Sequence, residues 1–338
     1  MRKSFFRDLL VVCLLILIVA CSVMLLVGYV SRPDTPKRFT IARQELYPIS
    51  VPMKYDKYGF LPMIEMNVDG QLLQLAIDTG LDYAAFQLNS SKIKELNLAA
   101  AGKSGFFSGI MGLPRRTRLF RVRNANIASI ALQDVYVTEE PREFDSFDGL
   151  VGNEFFREFV TLIDYGAMEL VLYPKDMPPK DIIDGEWKQV PFSNDNIGIV
   201  INGTIGEFGE ILRFCLDTGV TVNYEGKSYG IIKSKNVRDI SSTGEIMIPQ
   251  ISKGPIQTIS TKMTLIDGID LGLQEFLVWD FPRPAVDGFL GHNFLVRYKV
   301  LISFETETLY IKDFQQGSEA SNDRSGRVNI KTSHFGRR

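Results

Sequence analysis

One stretch of this chain is written twice. Val51-Pro52 recurs as Val190-Pro191, Asp78-Thr79-Gly80 as Asp217-Thr218-Gly219, and Asp148-Gly149-Leu150-Val151-Gly152 as Asp287-Gly288-Phe289-Leu290-Gly291. Each pair is separated by the same 139 positions (217 − 78), and Phe155/Phe294, Leu162-Ile163/Leu301-Ile302 and Leu170/Leu309 keep that spacing. One short slip occurs, Leu132-Gln133-Asp134 against Leu273-Gln274-Glu275, which are 141 apart. A common offset across separated motifs marks a duplicated structural unit. The chain is therefore expected to form two similar lobes over 49–174 and 188–313. The Pro-rich stretch 175–187 joins them, and a polar tail over 314–338 has too little apolar content to pack.

Each copy reads as β-structure. Ile64, Met66 and Val68 alternate toward Asp69-Gly70, a hairpin turn, and Leu72, Leu73, Leu75 and Ile77 continue the apolar run beyond it. The stretch 197–216 repeats this plan; 127–137 and 265–278 supply further strand pairs, and 161–173 and 300–311 close each unit. Helical periodicity is sparse, with 90–101 the best candidate in the first copy. The expected fold is all-β: two similar barrel lobes related by a pseudo-twofold axis, facing each other across a cleft.

Composition removes several chemistries. The 338 residues carry 38 basic and 40 acidic side chains, a balance that gives no reason to expect a nucleic-acid partner. The only histidines are His292, in an apolar-flanked turn, and His334, in the polar tail; neither has a persuasive partner for a Ser-His or Cys-His nucleophile. Cys13 and Cys21 fall in the N-terminal apolar run, leaving Cys215 alone in the body. No intrachain disulfide outside that run, no metal-ligand spacing and no cofactor follow from this.

Arg2, Lys3 and Arg7 precede an uncharged apolar run, Leu9 to Val30. At the helical rise its 22 residues reach about 33 Å, enough to span a bilayer core. Residues 1–31 are expected to form a transmembrane anchor or signal segment, followed by a linker over 32–48. The basic N-terminus favours a body on the extracytoplasmic side, periplasmic or extracellular. Ile18-Val19-Ala20-Cys21 also looks like a lipobox, which would make the chain a lipoprotein through Cys21, and ordinary cleavage is a third route. All three place the body across the membrane.

Each Asp-Thr-Gly ends an apolar strand, Leu75-Ala76-Ile77 or Phe214-Cys215-Leu216. A carboxylate there is costly unless hydrogen bonds stabilise it. Gly lets backbone N–H groups approach it, and the Thr hydroxyl can bond to the opposite loop. If the lobes pack about a twofold axis, Asp78 and Asp217 become neighbours, cannot both ionise and share a proton. One carboxylate can then activate a water while the other polarises a carbonyl.

These motifs resemble the retropepsin-like aspartic peptidases in a duplicated, single-chain arrangement like that of pepsins. The resemblance covers about 51–173 and 190–312 and rests on each Asp-Thr-Gly with its hydrophobic-hydrophobic-Gly partner 74 residues on (152 − 78). It implies a catalytic pair Asp78 and Asp217, supported by Thr79, Gly80, Thr218 and Gly219, with Gly152 and Gly291 allowing close packing beneath the loops. It also implies an endopeptidase acting on extended peptide segments, with a monomeric active unit. A flap hairpin is expected around Gly105, Phe106, Phe107 and Gly109, with a counterpart near 242–261 in which Gly244 matches Gly105. An ordinary long hairpin fits those residues as well.

The chain departs from the family after each Asp-Thr-Gly, where Leu81 and Val220 replace the usual Ala, Ser or Thr. Without a hydroxyl there, raised dyad pKa values and activity at mildly acidic to neutral pH are expected. The same two residues support the alternative, a non-catalytic peptide-binding or sensing module that kept the fold. Pairing of each lobe with a lobe of another chain is less economical. Asp148 and Asp287 read as turn or capping residues, and Trp187 and Trp279 as core or interface residues.

Overall fold

Strand and turn chemistry place the hairpin that leads to Asp78. Pro62–Val68 buries Ile64, Met66 and Val68, and pairs antiparallel with Gln71–Ile77. Between them Asp69 and Gly70 have φ of 49° and 90°. Two consecutive positive φ values form the turn whose twist matches its flanking strands. The same plan recurs as Ile199–Ile205 against Leu212–Leu216, the strand that ends at Asp217.

The computed structural model describes residues 39–313 apart from 43–47, 108–114, 142, 176–178, 180–186, 195–197, 207–208, 221, 225–226 and 248–253. The apolar run 9–30 and the tail 314–338 lie outside the described residues. Among the described residues no helix is long and apolar enough to cross a membrane.

The described chain is nearly all β, in three sheets. An eleven-stranded sheet takes the first copy and a nine-stranded sheet the second. In the first, Gly149–Val151 inserts between two strands, parallel to Gln71–Ile77 and antiparallel to Phe86–Asn89. In the second, Gly288–Leu290 inserts likewise, parallel to Leu212–Leu216 and antiparallel to Lys227–Ile232. The hydrophobic-hydrophobic-Gly motif is thus the strand beside the one that carries each aspartate.

The third sheet has six strands and draws on both copies, in the order Lys188–Pro191, Thr308–Asp313, Tyr298–Ser303, Phe159–Asp164, Glu169–Pro174, Ile49–Pro52. At its centre Leu162 pairs with Leu301, its own counterpart in the repeat, so the pseudo-twofold axis passes between them. One apolar cluster crosses this sheet, joining Val51, Phe155 and Ile163 to their counterparts Val190, Phe294 and Ile302. Burial of these paired sets, at about 25 cal/mol per Å² of apolar surface, ties the two copies into one body.

The expected helix at 90–101 is shorter than its apolar spacing suggested. It covers Ser90–Glu95 and gives way to a strand, Ala99–Phe107. Asn97, with φ of 50°, turns the chain out of the helix, and Leu98 N–H reaches back to the Ile93 carbonyl at 3.1 Å. An Asn in this left-handed position is a common helix stop.

Candidate active site

The two Asp-Thr-Gly loops meet on the pseudo-twofold axis. Thr79 N–H donates to Thr218 Oγ1 at 2.9 Å, and Thr218 N–H donates to Thr79 Oγ1 at 3.0 Å. Each hydroxyl then donates across the axis, Thr79 to the Leu216 carbonyl at 2.9 Å and Thr218 to the Ile77 carbonyl at 2.7 Å. Both threonines are fully buried. At roughly 1 kcal/mol net for each bond, and more for a buried partner left unpaired, this grip holds the loops in a fixed register.

That register brings Asp78 and Asp217 together: a Cβ on Gly219 would lie 3.0 Å from Asp78 Oδ1 and 3.1 Å from Asp217 Oδ1. Gly80 N–H donates to Asp78 Oδ1 at 2.9 Å, and Gly219 N–H donates to Asp217 Oδ1 at 2.8 Å. The glycines are required by space. A Cβ on Gly80 would lie 2.5 Å from Asp217 Cγ, and one on Gly219 would lie 3.0 Å from Asp78 Cγ. Gly152 and Gly291 sit where a Cβ would strike the backbone carbonyls of Leu81 and Val220 respectively.

Burial raises the Asp78 carboxyl well above its ordinary value, and the neighbouring Asp217 charge adds to the rise. Asp217 is also raised by burial, opposed first by the positive charge of Arg283 and then by the backbone amide of Gly219. Val220 N–H donates to the Asp217 backbone carbonyl at 3.1 Å, closing the turn. The expected direction of the dyad shift is therefore present, with desolvation as its main cause.

The side chains of Leu81 and Val220 are buried in apolar clusters. Leu81 packs with Ala76, Ala84, Phe147 and Leu150, and Val220 with Cys215, Phe281 and Phe289. Asp148 and Asp287, expected as turn or capping residues, bond instead to distant strand amides. Asp148 Oδ2 accepts from Gln74 N–H at 2.8 Å and Asp287 Oδ2 from Arg213 N–H at 3.1 Å, pinning the strands that lead to the aspartates. Trp187 packs on the six-stranded sheet and Trp279 against the Val220 cluster.

The hairpin expected to act as a flap exists as Ala99–Phe107 paired with Arg115–Val122, with Gly105 opposite Thr117 and Phe106 and Phe107 opposite Arg116 and Arg115. Gly109 lies outside the described residues. Gly244, opposite Thr258, holds the matching place in the second copy. His292 is wedged against Tyr55 and Tyr165 with ring centroids 6.1 and 5.9 Å away, and burial pushes its imidazole down to about 4. Among the described residues no group of three or more His, Cys, Asp or Glu could hold a metal ion.

Several residues that build the site carry no motif. Asn153 Nδ2 donates to the Thr79 carbonyl at 2.7 Å, and Arg157 bonds both Asp82, at 2.5 Å, and Asn194 of the second copy, at 2.7 Å. Gly198 of the second copy, with φ of 101°, packs where a Cβ would lie 2.8 Å from the Thr79 carbonyl. Only the first of these was open to inspection, as the residue that follows Gly152.

Sheet topology and loop geometry together define the aspartic-proteinase fold. Among solved structures the chain is similar to an aspartic proteinase from Irpex lacteus, with a TM-score of 0.55 over 80% of this chain and 98% of that one. Identity is 13%, so the likeness establishes the fold alone and does not reach the finer resemblance to retropepsins. No protein-family model and no curated protein matches the chain.

Proposed function

We propose that the chain is an aspartic-type endopeptidase in which Asp78 and Asp217 form one dyad. The observation that carries this reading is the reciprocal Thr79–Thr218 grip, which brings the carboxyls of Asp78 and Asp217 against each other beside Gly80 and Gly219. In this reading one carboxylate takes a proton from a water as the water oxygen bonds the scissile carbonyl carbon. The other carboxyl gives its proton to the carbonyl oxygen, leaving a neutral tetrahedral intermediate. The first carboxyl then gives its proton to the amide nitrogen, a hydroxyl of the intermediate returns a proton to the other carboxylate, and the C–N bond breaks with the dyad restored. Thr79, Thr218 and the four glycines position the pair.

The competing reading, a peptide-binding module without turnover, draws on Leu81 and Val220. Their burial in apolar clusters gives both side chains packing partners other than the dyad, which favours the enzyme. The exported, membrane-tethered body belongs to the same proposal and rests on the apolar run 9–30.

The test is hydrolysis of a mixed peptide library across pH. The active form holds one proton on the dyad, and a raised Asp78 retains that proton to higher pH than an ordinary carboxyl. The expected bell-shaped kcat/KM profile peaks at mildly acidic to neutral pH. A peak below about pH 3 contradicts the reading of the site's electrostatics, and binding of peptides without cleavage at any pH favours the module.

A further inference from the structure

We propose that His292 is an acid-sensitive wedge between the two copies: uncharged, it holds one of the two lobe junctions shut, and on protonation it lets that junction loosen while the other stays tied. The inference does not depend on the chemistry proposed above, because it concerns how the copies are joined. The repeat supplies the comparison. His292 answers to Asn153, Asn194 to Tyr55, Phe304 to Tyr165 and Val296 to Arg157, each pair 139 positions apart (292 − 153, 194 − 55, 304 − 165, 296 − 157). The pseudo-twofold axis therefore makes two equivalent junctions, and the chain builds them from opposite chemistries.

One junction is polar, and its cation is paired. Arg157 of the first copy lies over the Phe304 ring of the second, 5.2 Å from its centroid, and bonds Asn194 at 2.7 Å. The buried Asp82 holds the same guanidinium. Asn153 Nδ2 donates to Asp82 Oδ1 at 3.3 Å and to the Thr79 carbonyl at 2.7 Å. A guanidinium keeps its charge throughout the range in which an imidazole titrates.

The other junction is aromatic. His292 of the second copy sits edge-on to Tyr55 and Tyr165 of the first, at interplanar angles of 70° and 76°, and the two tyrosine centroids are 6.4 Å apart. Val296 stands where the repeat has Arg157, so the guanidinium tie has no counterpart. His292 Nδ1 is buried and has no hydrogen-bond partner, and neither has the buried Tyr165 hydroxyl. An imidazole that gains a proton needs an acceptor for each N–H, and a buried cation needs an anion. With neither in place, the charged ring is driven toward water.

Among the described residues, the charges on the packed elements are engaged elsewhere. Beside Tyr55, Lys54 pairs with Glu65 at 3.0 Å, and Asp56 accepts from Phe60 and Leu61 N–H at 2.9 and 3.2 Å. Beside Tyr165, Asp164 is committed to Lys299 at 2.6 Å. The turn His292–Leu295 packs on Lys227–Ile232, Ile269–Val278, Gly288–Leu290 and Tyr298–Ser303. There Lys227 pairs with Glu275 at 3.7 Å, Asp270 accepts from Gly272 N–H at 2.7 Å, and Tyr229 and Tyr298 are buried in apolar clusters. Burial is accordingly what lowers the imidazole to about 4, and it raises Tyr55 and Tyr165, which stay uncharged.

The sign follows from that direction. A base whose folded value lies below its ordinary one, near about 6.5, stabilises its site fully above that pH. The contribution fades as pH falls toward 4 and is lost below it. The dyad runs the other way, since the raised Asp78 carboxyl weakens its surroundings as pH rises.

Two measurements on the full chain test the wedge. The chain has 2 histidines, so imidazole NMR with His334→Gln reads His292 alone, and its midpoint is expected at about 4. Hydrogen exchange reads the two junctions, since His292 N–H donates to the Val220 carbonyl at 3.2 Å and its counterpart Asn153 N–H to the Leu81 carbonyl at 2.9 Å. From about pH 6.5 to about pH 4, protection over 292–297, corrected for intrinsic rates, falls by about tenfold or more, while that over 153–158 holds within about twofold. His292→Phe, a ring that takes no proton, abolishes the loss. His292→Asn, the residue of the first copy, does the same and serves if the Phe variant does not fold. An imidazole midpoint near about 6.5, equal loss at both turns, no loss at either, or a loss that persists in the variants would overturn the proposal. No readout needs cleavage, so a chain without peptidase activity tests the wedge equally well.

Discussion

Asp78→Asn and Asp217→Asn each lower peptide hydrolysis by at least about 10³-fold, the scale on which a shared acid and base fail together. Neither change costs the fold. Asn is nearly isosteric with Asp, and the Gly80 and Gly219 amides can still donate to its side-chain oxygen. The stability effect has a definite sign at Asp78. Its folded-state pKa is raised, so its charged form is disfavoured relative to the unfolded chain, whose carboxyl titrates near about pH 3.9. The wild type therefore loses stability relative to Asp78→Asn as pH rises from that point through the folded value. Thermal denaturation should show the Asn variant more stable at neutral pH and the two indistinguishable below about pH 3.5. Retained cleavage in either variant would separate that aspartate from the chemistry; a less stable Asn variant at pH 7 would contradict the burial argument.

Gly291→Ala is expected to be the most damaging single methyl in the described chain. The added carbon falls on the Val220 carbonyl oxygen and lies 3.1 Å from the Asp217 carbonyl. Neither atom is free to move. The Val220 carbonyl accepts from His292 N–H at 3.2 Å, and Asp217 N–H is bonded to the Leu290 carbonyl at 2.9 Å. Relief must come from shifting the loop that carries Asp217, at a cost of about 3 kcal/mol or more. Chemical denaturation measures it directly. Gly254→Ala is the control, because among the described residues no heavy atom lies within 4 Å of a Cβ placed there; it should change stability by less than about 0.5 kcal/mol. Equal effects at the two positions would mean that the strand behind the dyad is not the rigid support described.

The duplicated fold was legible because hydrophobic alternation and the constant offset are local properties of the chain. So was the meeting of the aspartates, which follows once two copies are placed about an axis that Leu162 and Leu301 flank. The matching grips of Asn89 on the Phe144 and Phe147 carbonyls and of Lys233 on the Arg283 and Val286 carbonyls were not. The offset there is 144 (233 − 89) because the connection after Asp-Thr-Gly is longer in the second copy, so the pair falls out of alignment. The directions of Leu81 and Val220 were equally closed to inspection. They depend on how each turn packs against Gly152 and Gly291, a three-dimensional property of the inserted strand. The helix end at Asn97 was a missed local signal, since Asn favours the left-handed conformation that stops a helix.

The central claim is that one chain holds one site, built jointly from its two copies. Calorimetric titration of the full chain with a peptide mimic bearing a hydroxyl at the scissile position tests it most directly. One equivalent is expected to bind per chain, with binding lost in both Asp78→Asn and Asp217→Asn. Binding of one equivalent per two chains, or binding that survives either substitution, would contradict it.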